Sequence, residues 1–319
     1  MKAACLAIAS YVALALILIS PGTILSAPLA KRFLPAEIVN PLAYYPEGPQ
    51  LIAEGLLVSE MAKDRIVLLR RGHSEVMWSA AGCGPTSIKR IPTGGYWILC
   101  HLGHQVVRVD SEFHTSNVFQ YTMSGRRITW PNDASVDAKG SVYLSSSGPF
   151  SLDAAPQGRV VFIDLETGAP QDLVTGIRYS NGVLVQEGKG RVLVSEMLNR
   201  RILSYPLLGP GRLGSARTFF SFTDAPAVAD PYELSGPDGI AEFGDGDILV
   251  ADYGNGRILV ISDQGRFLDQ ILVQYRFVTN MAIARDQESV YVLMTESNTS
   301  SDLHGMVQRF SVRPTPRSR

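Results

Sequence analysis

The sequence has almost no excess of charge of either sign. Its 319 residues carry 29 Lys and Arg against 30 Asp and Glu, a formal net charge of −1, and the two signs alternate along the chain. No basic block is available to neutralise a phosphate backbone and there is no acidic tail, so a nucleic-acid partner is excluded and a small molecule or an ion is expected. Long helical periodicity is missing after the first thirty residues, which leaves an all-β class. Cysteine is scarce, three residues in all. Long apolar runs are scarcer still: the single one extends from Ala3 to Ile19, behind Lys2 and ahead of Ser20-Pro21-Gly22. Small residues follow at Ser26, Ala27 and Ala30, so residues 1–30 read as a signal peptide or, uncleaved, as a membrane anchor. Either way the folded part is expected outside the cytoplasm, periplasmic or extracellular. Cys5 lies in that segment. Cys83 and Cys100 remain, an even number for an oxidising compartment, to be read as a pair or as two buried thiols.

What the chain does have is turns and a repeat. Gly (29) and Pro (19) are plentiful, and 45% of residues are hydrophobic. One unit recurs: Asn181-Gly-Val-Leu-Val, a turn at Glu187-Gly-Lys-Gly, Arg191-Val-Leu-Val-Ser-Glu, a short loop, then Arg201-Ile-Leu-Ser-Tyr. It returns at Asp238-Gly-Ile-Ala-Glu, and weaker copies begin at Glu47, Thr86, Asn132 and Asn280. A second polar position recurs thirteen to sixteen residues after each start (Glu60, His101, Ser146, Glu196, Asp252, Glu296), and the third strand often opens with Arg. Units of short strand, tight turn, apolar strand, loop and strand at 39- to 57-residue spacing are propeller blades. Six copies predict a six-bladed β-propeller with four-stranded blades over residues 31–312, followed by a disordered tail at 313–319. A β-sandwich is the competing architecture, but it does not require the same frame six times.

In a propeller the first strand of each blade is innermost, so the starting residues converge on the channel. Taken singly, Asn-Gly and Asp-Gly are ordinary turn formers. Taken together, Glu47, Asn132, Asn181 and Asp238 form an oxygen-only set with two carboxylates, which suits a hard divalent cation. The column holds neither Cys nor His, against a thiolate or imidazole zinc site. The second polar column places His101 and Glu196 near the same mouth as candidate substrate contacts. Asn298-Thr-Ser matches a glycosylation acceptor.

The segments Pro46-Glu47-Gly48-Pro49, Pro131-Asn132-Asp133-Ala134-Ser135-Val136-Asp137, Ser180-Asn181-Gly182 and Pro237-Asp238-Gly239-Ile240 resemble, in order and at blade spacing, the regucalcin–gluconolactonase group of senescence-marker-protein-type metal-dependent lactonases. Diisopropylfluorophosphatase-like enzymes and, more remotely, paraoxonases are similar to that group. The resemblance runs from Glu47 to about Phe310. It implies one divalent metal, calcium first and zinc, manganese or magnesium otherwise, on Glu47, Asn181, Asp238 and Asn132. It also implies a lactone or related ester as substrate, with Asp238 as general base. Sugar-lactone members commonly carry Arg two residues before the third-blade Asn. This chain has Trp130 there, which points to a less polar substrate with Trp130 among its contacts. The alternatives are a non-catalytic, metal-stapled binding propeller and a strictosidine-synthase-like enzyme, the latter disfavoured by the ligand set.

Overall fold

The computed structural model describes residues 33–34, 37–70, 73–244, 246–287 and 289–312. The expected leader or anchor at 1–30 and the expected tail at 313–319 lie outside the described residues. Six antiparallel sheets stand around a common axis. Blade 1 covers residues 46–79, blade 2 85–119, blade 3 131–177, blade 4 180–221 and blade 5 236–272. Blade 6 takes its three inner strands from residues 277–312 and its outer strand from Ile38–Tyr44, which pairs antiparallel with His304–Val312. The N-terminal segment therefore closes the ring and leaves no open inner seam between first and last blades. Helix is confined, among the described residues, to single 3-10 turns such as Met61–Lys63 and Met197–Asn199, and no helix is long and apolar enough to cross a membrane.

The core follows from strand alternation. Second strands such as Leu56–Glu60 and Val142–Ser146 are buried throughout, and their Val, Ile and Leu side chains pack on the neighbouring blades. A blade exposes apolar faces on both sides, so each covers its neighbour. Cys83 and Cys100 are joined by a disulfide, with Cα atoms 4.5 Å apart, at the upper end of blade 2.

All six innermost strands break register at the same place. Between Glu47 and Gln50, Pro85 and Ser87, Pro131 and Ala134, Ser180 and Val183, Pro237 and Ile240, and Val278 and Asn280, one extra residue is inserted against the second strand. A bulge of this kind bends the strand and re-aims its side chains. In blades 2 to 6 the residue that enters the bulge is Thr86, Asn132, Asn181, Asp238 or Thr279, directly after the last paired residue; in blade 1 Glu47 holds the corresponding place after Pro46 but still pairs with Ser59, and the bulge falls on Gly48 and Pro49. The sixth member of the column is thus Thr279, not Asn280. Its hydroxyl donates to Pro46 O of blade 1 at 2.6 Å, as Thr86 donates to Pro131 O of blade 3 at 3.1 Å.

Candidate active site

The next residue along each bulge explains the dipeptides that resembled turns. Gly48, Gly182 and Gly239 lie inside strands. A Cβ on Gly182 would stand 2.3 Å from Asp238 O, one on Gly48 2.3 Å from Thr86 O, and one on Gly239 2.4 Å from the Asn280 amide. Glycine is needed because neighbouring blades almost touch at the hub, not because the chain turns.

Above that hub lies a cavity of about 220 Å³ whose floor is Glu47, Thr86, Asn132, Asn181 and Asp238. Blades 1, 3, 4 and 5 each supply one of the expected ligands, and all four are at least 95% buried. Asn132 Oδ1, Asn181 Oδ1 and Asp238 Oδ1 have no hydrogen-bond partner. Buried oxygens are normally satisfied, and three orphaned acceptors on one cavity floor fit a cation coordinated by oxygen. Burial, with the charge of Asp133 added, holds the Glu47 carboxyl well above the usual range; the Gly48 N–H and Lys89 pull the other way. Burial and then Glu47 and Asp133 raise Asp238, against a hydrogen bond from Asn181. Two carboxyls forced up in this way favour a positive charge between them.

A model of the SMP-30/gluconolactonase/LRE-like region matches residues 45–296, from the residue before blade 1 to the end of the second strand of blade 6. The chain belongs to the SMP-30/gluconolactonase/LRE-like family. It is 26% identical over 188 residues to lactonase drp35 of Staphylococcus epidermidis, covering 58% of this chain and 50% of the relative. It is 22% identical over 208 residues to the diisopropyl-fluorophosphatase of Loligo vulgaris, covering 62% and 63% respectively. The chain thus spans about half the length of the lactonase it matches. Among solved structures, the calcium-binding protein regucalcin from Agrobacterium tumefaciens superposes with a TM-score of 0.70 at 16% identity, over 90% of this chain and 98% of that one.

The walls of this family member's cavity obey a simple rule. The last residue of the second strand pairs with the first strand's opening residue, and the residue after it turns inward. Met61, His101 and Met197 line the cavity by that rule, joined by Tyr253, which itself ends its strand opposite Gly236, and by Tyr45, Phe150 and Tyr179. His101 is where expected. Its Nδ1 lies 3.2 Å from Pro131 O, which requires the proton on Nδ1 and leaves Nε2 as an acceptor. Burial pushes its pKa down to about 4.

Glu196 and Trp130 are not among the lining residues. Glu196 Oε2 accepts from Arg201 Nε at 2.5 Å and Oε1 from Arg178 N at 2.9 Å, so the carboxylate is consumed in closing its own hairpin. Glu60 with Arg65 and Asp252 with Arg257 do the same, each at 2.6 Å. The second polar column and the recurrent Arg are therefore one structural device, and the cavity wall is the adjacent column. Trp130 shares its place before the bulge with Tyr45 and Tyr179, and all three have left-handed backbones. It packs edge-on against His104, 5.0 Å between centroids, instead of over the cavity.

Sequence reasoning missed Tyr45, Phe150, Tyr179 and Tyr253. The signal for two of them was present, since an aromatic residue recurs two positions before the channel residue at Tyr45, Trp130, Tyr179 and Phe277. The Tyr45 and Tyr253 hydroxyls lie 3.0 Å apart, and the Phe150 ring is 4.7 Å from Tyr179. Burial, followed by the Asp238 charge, keeps Tyr179 protonated. Asp110, Glu112 and His114 also cluster, but on an exposed turn where Asp110 already accepts from the Glu112 and His114 N–H groups.

Proposed function

We propose that the chain is a metal-dependent hydrolase of a lactone or related ester, with calcium held by Glu47, Asn132, Asn181 and Asp238. The observation that carries this reading is the set of three unpartnered buried oxygens beside Glu47 on one cavity floor. Family membership supports it, as do the names of the relatives, a lactonase and a fluorophosphatase. Calcium is the choice of an all-oxygen set with two carboxylates, and regucalcin of the same fold is described as calcium-binding. When bound, the cation supplies Lewis-acid polarisation of a carbonyl oxygen.

The chain's own residues supply the rest. Asp238 has one oxygen free of hydrogen bonds and takes the proton of the attacking water. The Tyr45 and Tyr253 hydroxyls share one hydrogen bond above the floor, which leaves one hydroxyl proton of the pair to donate. Phe150, Tyr179, Met61 and Met197 exclude water and favour an apolar ring. At about 220 Å³ the cavity is smaller than a drug-sized pocket and suits a single ring with short substituents. The protein acts outside the cytoplasm, exported by its N-terminal segment.

Elemental analysis of the purified protein, followed by a panel of lactones, aryl esters and phosphotriesters with and without chelator, tests the reading. Turnover should vanish with chelator and return with calcium. Asp238→Asn should keep the fold and lower kcat by at least about a thousandfold, the loss of both a base and a ligand charge. Full activity in that variant would remove Asp238 as the base. Metal-dependent melting without any turnover would favour the binding-propeller alternative.

A further inference from the structure

The hub contains a third buried carboxylate that the ligand set does not use. Asp133 follows Asn132 in the blade 3 bulge, and its side chain is 3% exposed. Its Oδ1 accepts from Ala134 N at 2.8 Å and Ser87 Oγ at 3.1 Å, and lies 3.3 Å from Lys89 Nζ. Lys89 does not belong to the upper cavity. It lines a separate cavity of about 420 Å³ at the opposite end of the channel, with Gln50, Arg90, Asp137, Glu242 and Asn280. Its side chain is 18% exposed there, so the ammonium enters the hub from below and meets Asp133 beneath the proposed cation site. Asp133 and Lys89 are both within electrostatic reach of Glu47.

The charges of this arrangement balance in one way. Glu47, Asp133 and Asp238 bring three negative charges into a region that burial desolvates, and Lys89 brings one positive charge into contact with Asp133. A deficit of two remains, the charge of one divalent ion. We infer that Lys89 is a specificity-determining residue that fixes the charge of the cation the hub accepts, by neutralising Asp133 from the far side of the channel. This inference rests on the proposed metal site and concerns Lys89 toward it.

The energy of an ion in the potential of a removed neighbouring charge scales with the ion's own charge. Replacing Lys89 by an uncharged residue should therefore tighten a divalent ion about tenfold and a trivalent ion about thirtyfold, given partial screening from the lower mouth. Removing Asp133 alone should do the reverse.

The test is equilibrium binding of calcium, by competition with a chromophoric chelator, and of terbium, by luminescence, in the intact protein. Four forms are compared: the unmodified chain, Lys89→Met, Asp133→Asn and the double variant. The inference expects Lys89→Met to raise the terbium-to-calcium affinity ratio about threefold and to tighten both ions. Asp133→Asn should weaken both, and the double variant should return near the unmodified values. A merely structural pair would weaken both ions in either single variant and leave the ratio unmoved, which would overturn the inference while leaving the metal site standing. Failure of the unmodified chain to bind calcium or terbium at all would overturn the metal-site reading and this inference with it. Should Lys89→Met fold poorly, Lys89→Gln retains the stem and hydrogen bonding without the charge and is read in the same way.

Discussion

Gly182 sits between Asn181 of blade 4 and the blade 5 backbone, and its missing side chain sets how closely the two proposed ligands Asn181 and Asp238 approach. Adding one methyl group would drive it to 2.3 Å from Asp238 O and 2.9 Å from Ile240 Cγ1, with strand backbone on one side and core on the other. Gly182→Ala should cost about 3 kcal/mol in a denaturant melt, at the upper end of overpacking, and loosen metal binding because Asp238 must shift. Gly188→Ala is the control: it lies on a turn with nothing within 4 Å and should be within about 0.5 kcal/mol of neutral. His101 argues through charge. Its imidazole titrates at about 4 in the fold against about 6.5 unfolded, so the unfolded chain takes the proton first as pH falls. The stability contributed by the neutral ring is complete above about pH 6.5 and is lost progressively toward pH 4, at most about 3 kcal/mol. Melting followed from pH 7.5 to 4 should show this acid limb, and His101→Gln should flatten it; an unchanged limb would place its origin in other groups. At this scale the sequence was legible where chemistry alone identifies a residue, as for the four oxygen-bearing side chains that meet on one cavity floor. It was illegible where packing decides, as for the glycines read as turn formers and for Trp130, which turned to His104.

Strand alternation governs what could be read at the level of elements. Successive side chains on a strand face opposite ways, so a shift of one residue exchanges wall for scaffold. The repeat located every blade, yet at the end of the second strand it selected the recurrent polar residue when the cavity is lined by its neighbour. Glu196 closes a hairpin while Met197 faces the cavity, and Asp252 closes a hairpin while Tyr253 faces it. In blade 6 the same slip exchanged Thr279 for Asn280, which lines the opposite mouth instead. In blade 6 the bulge caused this, because one inserted residue resets the alternation and leaves no mark in composition; at the second strands of blades 1 and 4 the cavity is reached instead from the 3-10 turn that follows the strand. The clasps themselves are testable. Asp252 and Arg257 are almost wholly buried, 0% and 4% exposed at their side chains, whereas Arg201 beside Glu196 is 40% exposed. Arg257→Met leaves the wholly buried Asp252 carboxylate with the neutral Asn255 amide but no counter-charge, and should cost roughly 3 kcal/mol. Arg201→Met leaves Glu196 the Arg178 N–H and access to water, and should cost about 1 kcal/mol. Equal losses in thermal melts of the two variants would mean that burial does not set the strength of the clasp.

The ring as a whole is held at two radii. At the rim, Ile38–Tyr44 pairs with His304–Val312 and joins a segment ahead of blade 1 to the last blade. At the hub, one cation would tie blades 1, 3, 4 and 5 together through four side chains. No alternation or spacing in the sequence forecast the rim closure, because the outer strand of blade 6 lies some 260 residues from its partner and carries Pro and Asn in place of an apolar period. The two ties respond differently to conditions. Rim hydrogen bonds are indifferent to divalent ions, whereas without the cation the hub carboxyls face one another across a desolvated space. Binding to the folded state alone stabilises it by mass action, about 2.7 kcal/mol when free calcium is a hundred times the dissociation constant. In a chain of this size that raises Tm by several degrees. Chelator should lower Tm by that amount, calcium should restore it, and Asp238→Asn should shrink the response. A Tm indifferent to both chelator and calcium would leave the rim as the sole tie and the hub without its ion.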